Sequence, residues 1–148
     1  MSEKLKIKGN KIKILDAYWE NDEVAIIIIL LIVNYSIFGN SKSVPLKKIA
    51  FIFDALKKNL PVSKLSVQLS APWDISEGLR KKIIVAFERE LLEIKNPQTG
   101  ISFSLSLNGK HLVDQIENKN ILPELSNEIK KWSVEVTNDE LKNQYLIW

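Results

Sequence analysis

Apolar and lysine positions alternate strictly from Lys4 to Ile14, on either side of Gly9-Asn10. A period of two interrupted by a Gly-Asn pair predicts a β-hairpin with a two-residue turn. In that register Ile7 faces Ile12 and Leu5 faces Ile14, which makes one apolar face. Lys6 then lies opposite Lys13, and Lys8 opposite Lys11. Like charges directly across a ladder are mildly destabilising. Two readings fit: the lysines guard a solvated edge against aggregation, or they meet an acidic partner. A two-stranded ribbon is marginal by itself, so it must dock on something.

The pattern changes after Asn21. Residues 21–38 are almost continuously apolar, with Asn21 or Asp22 as a cap, Glu23 in the first turn and Gly39 as a stop. Length and caps predict a helix, although the four isoleucines Ile26 to Ile29 favour a strand. A helix apolar all round belongs at the centre of a core or in an interface. Residues 43–58 predict a second helix, capped by Ser43, with Leu46, Ile49, Ala50, Phe53 and Leu56 as its apolar stripe. Lys47, Lys48, Asp54, Lys57 and Lys58 fill the remaining positions, and Leu60-Pro61 ends it. Residues 61–75 hold at most a short strand near 65–69. Ser76-Glu77 opens a third helix, to about Leu92, with Leu79, Ile83, Ala86, Phe87 and Leu91 inward.

A second hairpin follows, from Leu92–Lys95 and Ile101–Leu107. Ile101, Phe103, Leu105 and Leu107 alternate with Ser102, Ser104 and Ser106, the pattern of a half-buried strand. Asn108-Gly109 breaks it, and a short helix follows with His111, Leu112, Gln115 and Ile116 near one face. Helices are also predicted from about Pro123 to Trp132 and, behind the capping box Thr137-Asn138-Asp139-Glu140, towards Trp148. One α+β, mostly helical domain results: a ribbon and connector over 1–20, a core over 21–118 and a C-terminal helical extension over 119–148.

Composition removes chemistry more than it adds any. The 148 residues contain no cysteine and one histidine, His111. Disulfides, thiol nucleophiles and cysteine-held metals are excluded, and His-rich sites and hydrolase triads are disfavoured. His111 and Asp114 stand three apart as an acid–base pair, but no serine or second histidine is placed beside them, and a surface role fits better. Asp16, Glu20, Asp22 and Glu23 lack calcium-loop spacing, and no glycine-rich phosphate loop is present. No catalytic residue and no cofactor or metal is therefore expected. The ten-residue apolar run Val24–Val33 is too short to span a membrane. No secretory pattern is visible, so a cytoplasmic location is expected.

Net charge is +3, with 21 basic and 18 acidic residues, too mild to imply nucleic acid by itself. Only Arg80 and Arg89 are arginine, the residue best suited to reading guanine and phosphate. Charge runs from +3 over residues 1–50, through +2 over 51–100, to −2 over 101–148. The terminal group Tyr145-Leu146-Ile147-Trp148 is too apolar to dangle in water; it packs back on the domain or docks on a partner.

Three helices, a hairpin and a helix make an order that resembles a winged helix. Within it, Phe103, Leu105, Ser106 and Gly109 fill a phrase similar to one common at the second wing strand. In such a fold the helix 76–92 is the recognition helix. Arg80, Lys81 and Lys82 sit near its N-terminal end, where the helix dipole disfavours cations unless an anion binds there. Glu88, Glu90 and Glu93 would repel DNA, which makes protein contact the better use of this surface.

The stretch Ile29 to Leu56, with the wing phrase 101–110, resembles the small middle components of bacterial three-component ABC-ATPase systems of the Lamassu antiphage type. That resemblance implies a winged-helix-like, non-catalytic subunit beside an SMC-like ATPase and an effector. The expected function is an accessory or adaptor subunit. The alternative is a winged-helix DNA-binding regulator, with DNA reached directly or through the complex. The candidate contact residues are Lys6, Lys8, Lys11, Lys13, Arg80, Lys81, Lys82, Tyr145 and Trp148. No small-molecule substrate and no membrane association are expected.

Overall fold

In a computed structural model of the protein, the described residues are 21–37, 42–58, 76–95 and 101–136. The lysine ribbon, the short strand expected near 65–69, the capping box at Thr137 and the terminal Tyr145 and Trp148 lie outside them.

Helix α1 spans Asp22–Ser36, so the isoleucine run is helical. The Asn21 side chain accepts from the amides of Glu23 and Val24, at 2.9 and 3.2 Å. Isoleucine is a poor helix former, but propensity here yields to burial. Ile26, Ile28 and Ile29 through Val33 are all buried, and α1 is the hub against which every other helix packs.

After α1 the chain departs from the expected pattern. Ser43 does not cap a helix; its hydroxyl hydrogen-bonds that of Ser102 at 2.9 Å. Val44–Pro45 form a short strand, β1, and helix α2 runs over Leu46–Lys57. The cause is Pro45, whose ring pushes Val44 out of the helical region. Pro45 itself is extended at the N-cap, with φ −62° and ψ 147°. The α2 stripe Ile49, Ala50, Phe53 and Leu56 is buried as expected, but so are Phe51, Ile52 and the charged Lys48.

Helix α3 covers Glu77–Glu88, capped by Ser76, whose hydroxyl accepts from Leu79 N at 3.1 Å. It stops four residues earlier than expected. Glu90 takes the left-handed conformation at φ 62°. The amides of Glu90 and Leu91 bond back to the carbonyls of Phe87 and Ala86, at 2.9 and 3.0 Å. This is a Schellman motif with glutamate where glycine is usual. It takes Leu91 out of the helical stripe, whose buried members are Leu79, Ile83 and Ala86.

Strands β2 (Leu92–Lys95) and β3 (Ser102–Leu105) pair antiparallel, with Leu92 opposite Leu105 and Ile94 opposite Phe103. β1 joins the other side of β3, with Val44 opposite Phe103, giving the order β1-β3-β2. β3 is thus central, and Ser102 and Ser104 are buried along with Phe103 and Leu105. The half-buried alternation expected for this strand does not hold, and its flanking residues Ile101 and Leu107 are exposed.

Helix α4 (Leu107–Asn118) begins earlier than the Asn108-Gly109 pair implies. The turn is made by Ser106, whose hydroxyl accepts from Gly109 N at 3.0 Å and donates to Glu90 O. Gly109 lies inside the first turn of α4, pressed against the backbone at Leu91. Val113 and Ile116 face the core, whereas His111 and Gln115 are exposed. Helix α5 (Pro123–Glu135) packs along α1 and α2. Its Ile129 and Trp132, with Val136 just beyond it, are fully buried. This part of the C-terminal extension therefore belongs to the same core as α1.

The architecture is α+β and mostly helical: five helices and a small three-stranded antiparallel sheet among the described residues. Its order, helix–strand–helix–helix–strand–strand with the first strand beside the third, is compatible with a winged-helix-like layout. Among the described residues no helix is long and apolar enough to cross a membrane.

Candidate functional site

Among the expected contact residues, only Arg80, Lys81 and Lys82 fall on described chain, and the fold separates them. Lys82 turns inward to Asp22 of α1, Nζ to Oδ1 3.2 Å. Arg89 likewise reaches Glu23, Nη1 to Oε1 2.7 Å. These two pairs tie α3 to the N-terminus of α1, where acidic side chains suit the helix dipole. Lys82 therefore serves the fold. Arg80 and Lys81 point outward, Lys81 with its side chain 73% exposed and 3.7 Å from Glu77.

Among these charges the outer face of α3 also carries two large apolar side chains. Ile84 is 53% exposed and Phe87 44%. Phe87 was expected inside; the buried side is instead filled by Leu79, Ile83 and Ala86. A helical wheel carries the missing signal: at about 100° per residue, Ile84 falls roughly 140° from the centre of that buried stripe. Glu88 and Glu90 are also exposed. A phosphate backbone is recognised by cations and hydrogen-bond donors. An apolar centre with carboxylates at one end matches protein better than DNA.

Nothing on the described surface resembles a catalytic centre. His111 and Asp114 are exposed on α4. No group of three or more His, Cys, Asp or Glu is arranged to hold a metal among the described residues. A depression of about 520 Å³ follows α5, which supplies its lining among the described residues, including Lys130, Lys131 and Val134. A cleft between α2 and the start of α3 measures about 60 Å³, far below the several hundred Å³ of ligand pockets.

Three side chains among the described residues titrate away from their ordinary ranges, Lys47 by a lowering that burial causes. Burial pushes the Lys48 ammonium down to about 8. Burial, then the hydrogen bond to Glu117, pushes the Tyr35 hydroxyl up to about 12. Tyr35 Oη donates to Glu117 Oε1 at 2.9 Å, joining α1 to α4. Lys48 sets the more useful pH dependence. Its folded value lies below its unfolded one, so between about pH 8 and 10 the unfolded chain binds more protons and stability rises with pH. The slope cannot exceed about 1.4 kcal/mol per pH unit. Below pH 8 the full penalty of the buried charge applies. Above about pH 10 Tyr35 acts in the opposite sense, because its proton is held in the folded state and lost from the unfolded one. Urea unfolding of the wild type and of Lys48→Met from pH 7 to 10 should show the wild type gaining stability relative to the variant.

The described residues form a small, mostly helical α+β fold compatible with a winged-helix-like layout. No protein-family model, no curated protein and no solved structure matches the chain.

Proposed function

We propose that this chain is a non-catalytic adaptor subunit of a bacterial multi-protein complex in the cytoplasm. It bridges an SMC-like ABC ATPase and an effector in antiphage defence. The partners come from the resemblance carried by residues 29–56 and 101–110. The observation that carries the adaptor reading is the outer face of α3. At the position of a recognition helix, Ile84 and Phe87 are exposed, Glu88 and Glu90 accompany them, and Lys82 is engaged with Asp22. Such a face is disfavoured against phosphate and suited to protein.

Affinity purification of the tagged chain, expressed with its chromosomal neighbours, tests this. Stoichiometric recovery of an ATPase or effector is the expected result. The outward Arg80 and Lys81 favour a second reading, a DNA-binding regulator. That reading predicts recovery of the chain alone with DNA, and duplex binding that weakens steeply with salt.

A further inference from the structure

The outward face of α3 carries charges in an order that complements its own reverse. Seen along the helix, Ile84 lies centrally, with Lys81 and Glu88 to one side and Arg80 and Phe87 to the other. At about 1.5 Å per residue, Lys81 lies some 4.5 Å before Ile84 and Glu88 some 6 Å after it. The two side chains are therefore nearly equidistant from the centre, on the same flank, with opposite charge.

We propose that this face binds the same face of a second copy of the chain, as an antiparallel, two-fold pair of α3 helices. A two-fold axis at Ile84 sets Lys81 of one copy opposite Glu88 of the other, twice over. On the other flank Arg80 meets Phe87 of the second copy, a cation over an aromatic ring. The two Ile84 side chains meet on the axis, where apolar contact belongs. A parallel pairing would instead oppose Lys81 to Arg80 of the second copy, like charge to like, and Glu88 to Phe87. The Lys81–Glu77 pair does not compete strongly, because both side chains are largely exposed, at 73% and 84%. The inference rests on the reading of this face as a protein-docking surface and names its occupant.

The test is sedimentation equilibrium of the pure full-length chain, with Lys81→Glu, Glu88→Lys and the double variant beside the wild type. Both substituted positions carry exposed side chains, and circular dichroism melts establish that each variant folds. The wild type should be a dimer. Each single variant turns two attractive pairs into two repulsive ones and should weaken dimerisation by roughly tenfold or more. The double variant should restore it. A monomeric wild type, or a dimer indifferent to the charge exchange, overturns the proposal. The adaptor reading is tested separately: a monomer that still recovers the ATPase leaves it standing, whereas a charge-sensitive dimer recovered without ATPase or effector removes it.

Discussion

Trp132→Ala should lower the unfolding free energy by about 4 kcal/mol, the loss expected when a large buried aromatic is truncated. Trp132 is fully buried on α5 and meets Phe51 of α2 edge to face, with ring centroids 6.3 Å apart at 66°. Removing the indole strips α5 of its main anchor and leaves a void beside α1 and α2. A typical domain has only about 5–15 kcal/mol in total, so the variant should unfold at a much lower urea concentration. Its Nε1 has no hydrogen-bond partner, an added desolvation cost in the folded state. Trp132→Phe removes that unpaired donor and leaves a smaller void, so it should be clearly milder than alanine. If alanine and phenylalanine shift the midpoint equally, the ring's packing is not what secures α5.

Gly109→Ala should destabilise by about 3 kcal/mol, the upper part of the range for overpacking. In an ordinary helix the same change is worth up to about 1 kcal/mol of stabilisation. Here the steric effect dominates. A Cβ on residue 109 would stand 2.1 Å from the Leu91 carbonyl oxygen. That oxygen belongs to backbone and cannot swing aside: it accepts from Ser106 N at 3.1 Å, just past the Schellman turn that ends α3. Relief requires α4 to move away from the junction of α3 and β2. Thermal unfolding of the alanine variant checks the sign directly; a rise in midpoint would show that α4 can shift freely.

Local signals predicted what local forces determine. The caps at Asn21 and Ser76 are visible because their side chains bond amides two or three residues ahead. Strand β2 begins and ends as expected, because turn residues bound it. What failed depends on distant chain. Two residues, Val44 and Pro45, are too few to show a period, and only their pairing with β3 makes them a strand. The serines of β3 read as a solvent face until β1 is set on its other side. Asn108-Gly109 resembles a turn, but the glycine is needed where α4 approaches Leu91.

The candidate site follows the same rule. Arg80, Lys81 and Lys82 read as one basic cluster, yet Lys82 answers Asp22, 60 residues earlier in the chain. Phe87 reads as core because it is aromatic and near the stripe. The fold leaves it outside, and the buried side of α3 consists of Leu79, Ile83 and Ala86.

The Val44–Pro45 strand also decides how the sheet can grow. Leu46 N bonds inward to Ile101 O at 3.2 Å, so by alternation residue 45 should direct its donor outward. It is a proline and has none to offer. The β1 margin is thus one donor short of a regular ladder edge, while among the described residues β2 bears Glu93 and Lys95, Oε2 to Nζ 3.5 Å. A strand added along β1 would find that donor missing, so growth of the sheet on this side would lose a ladder bond at residue 45.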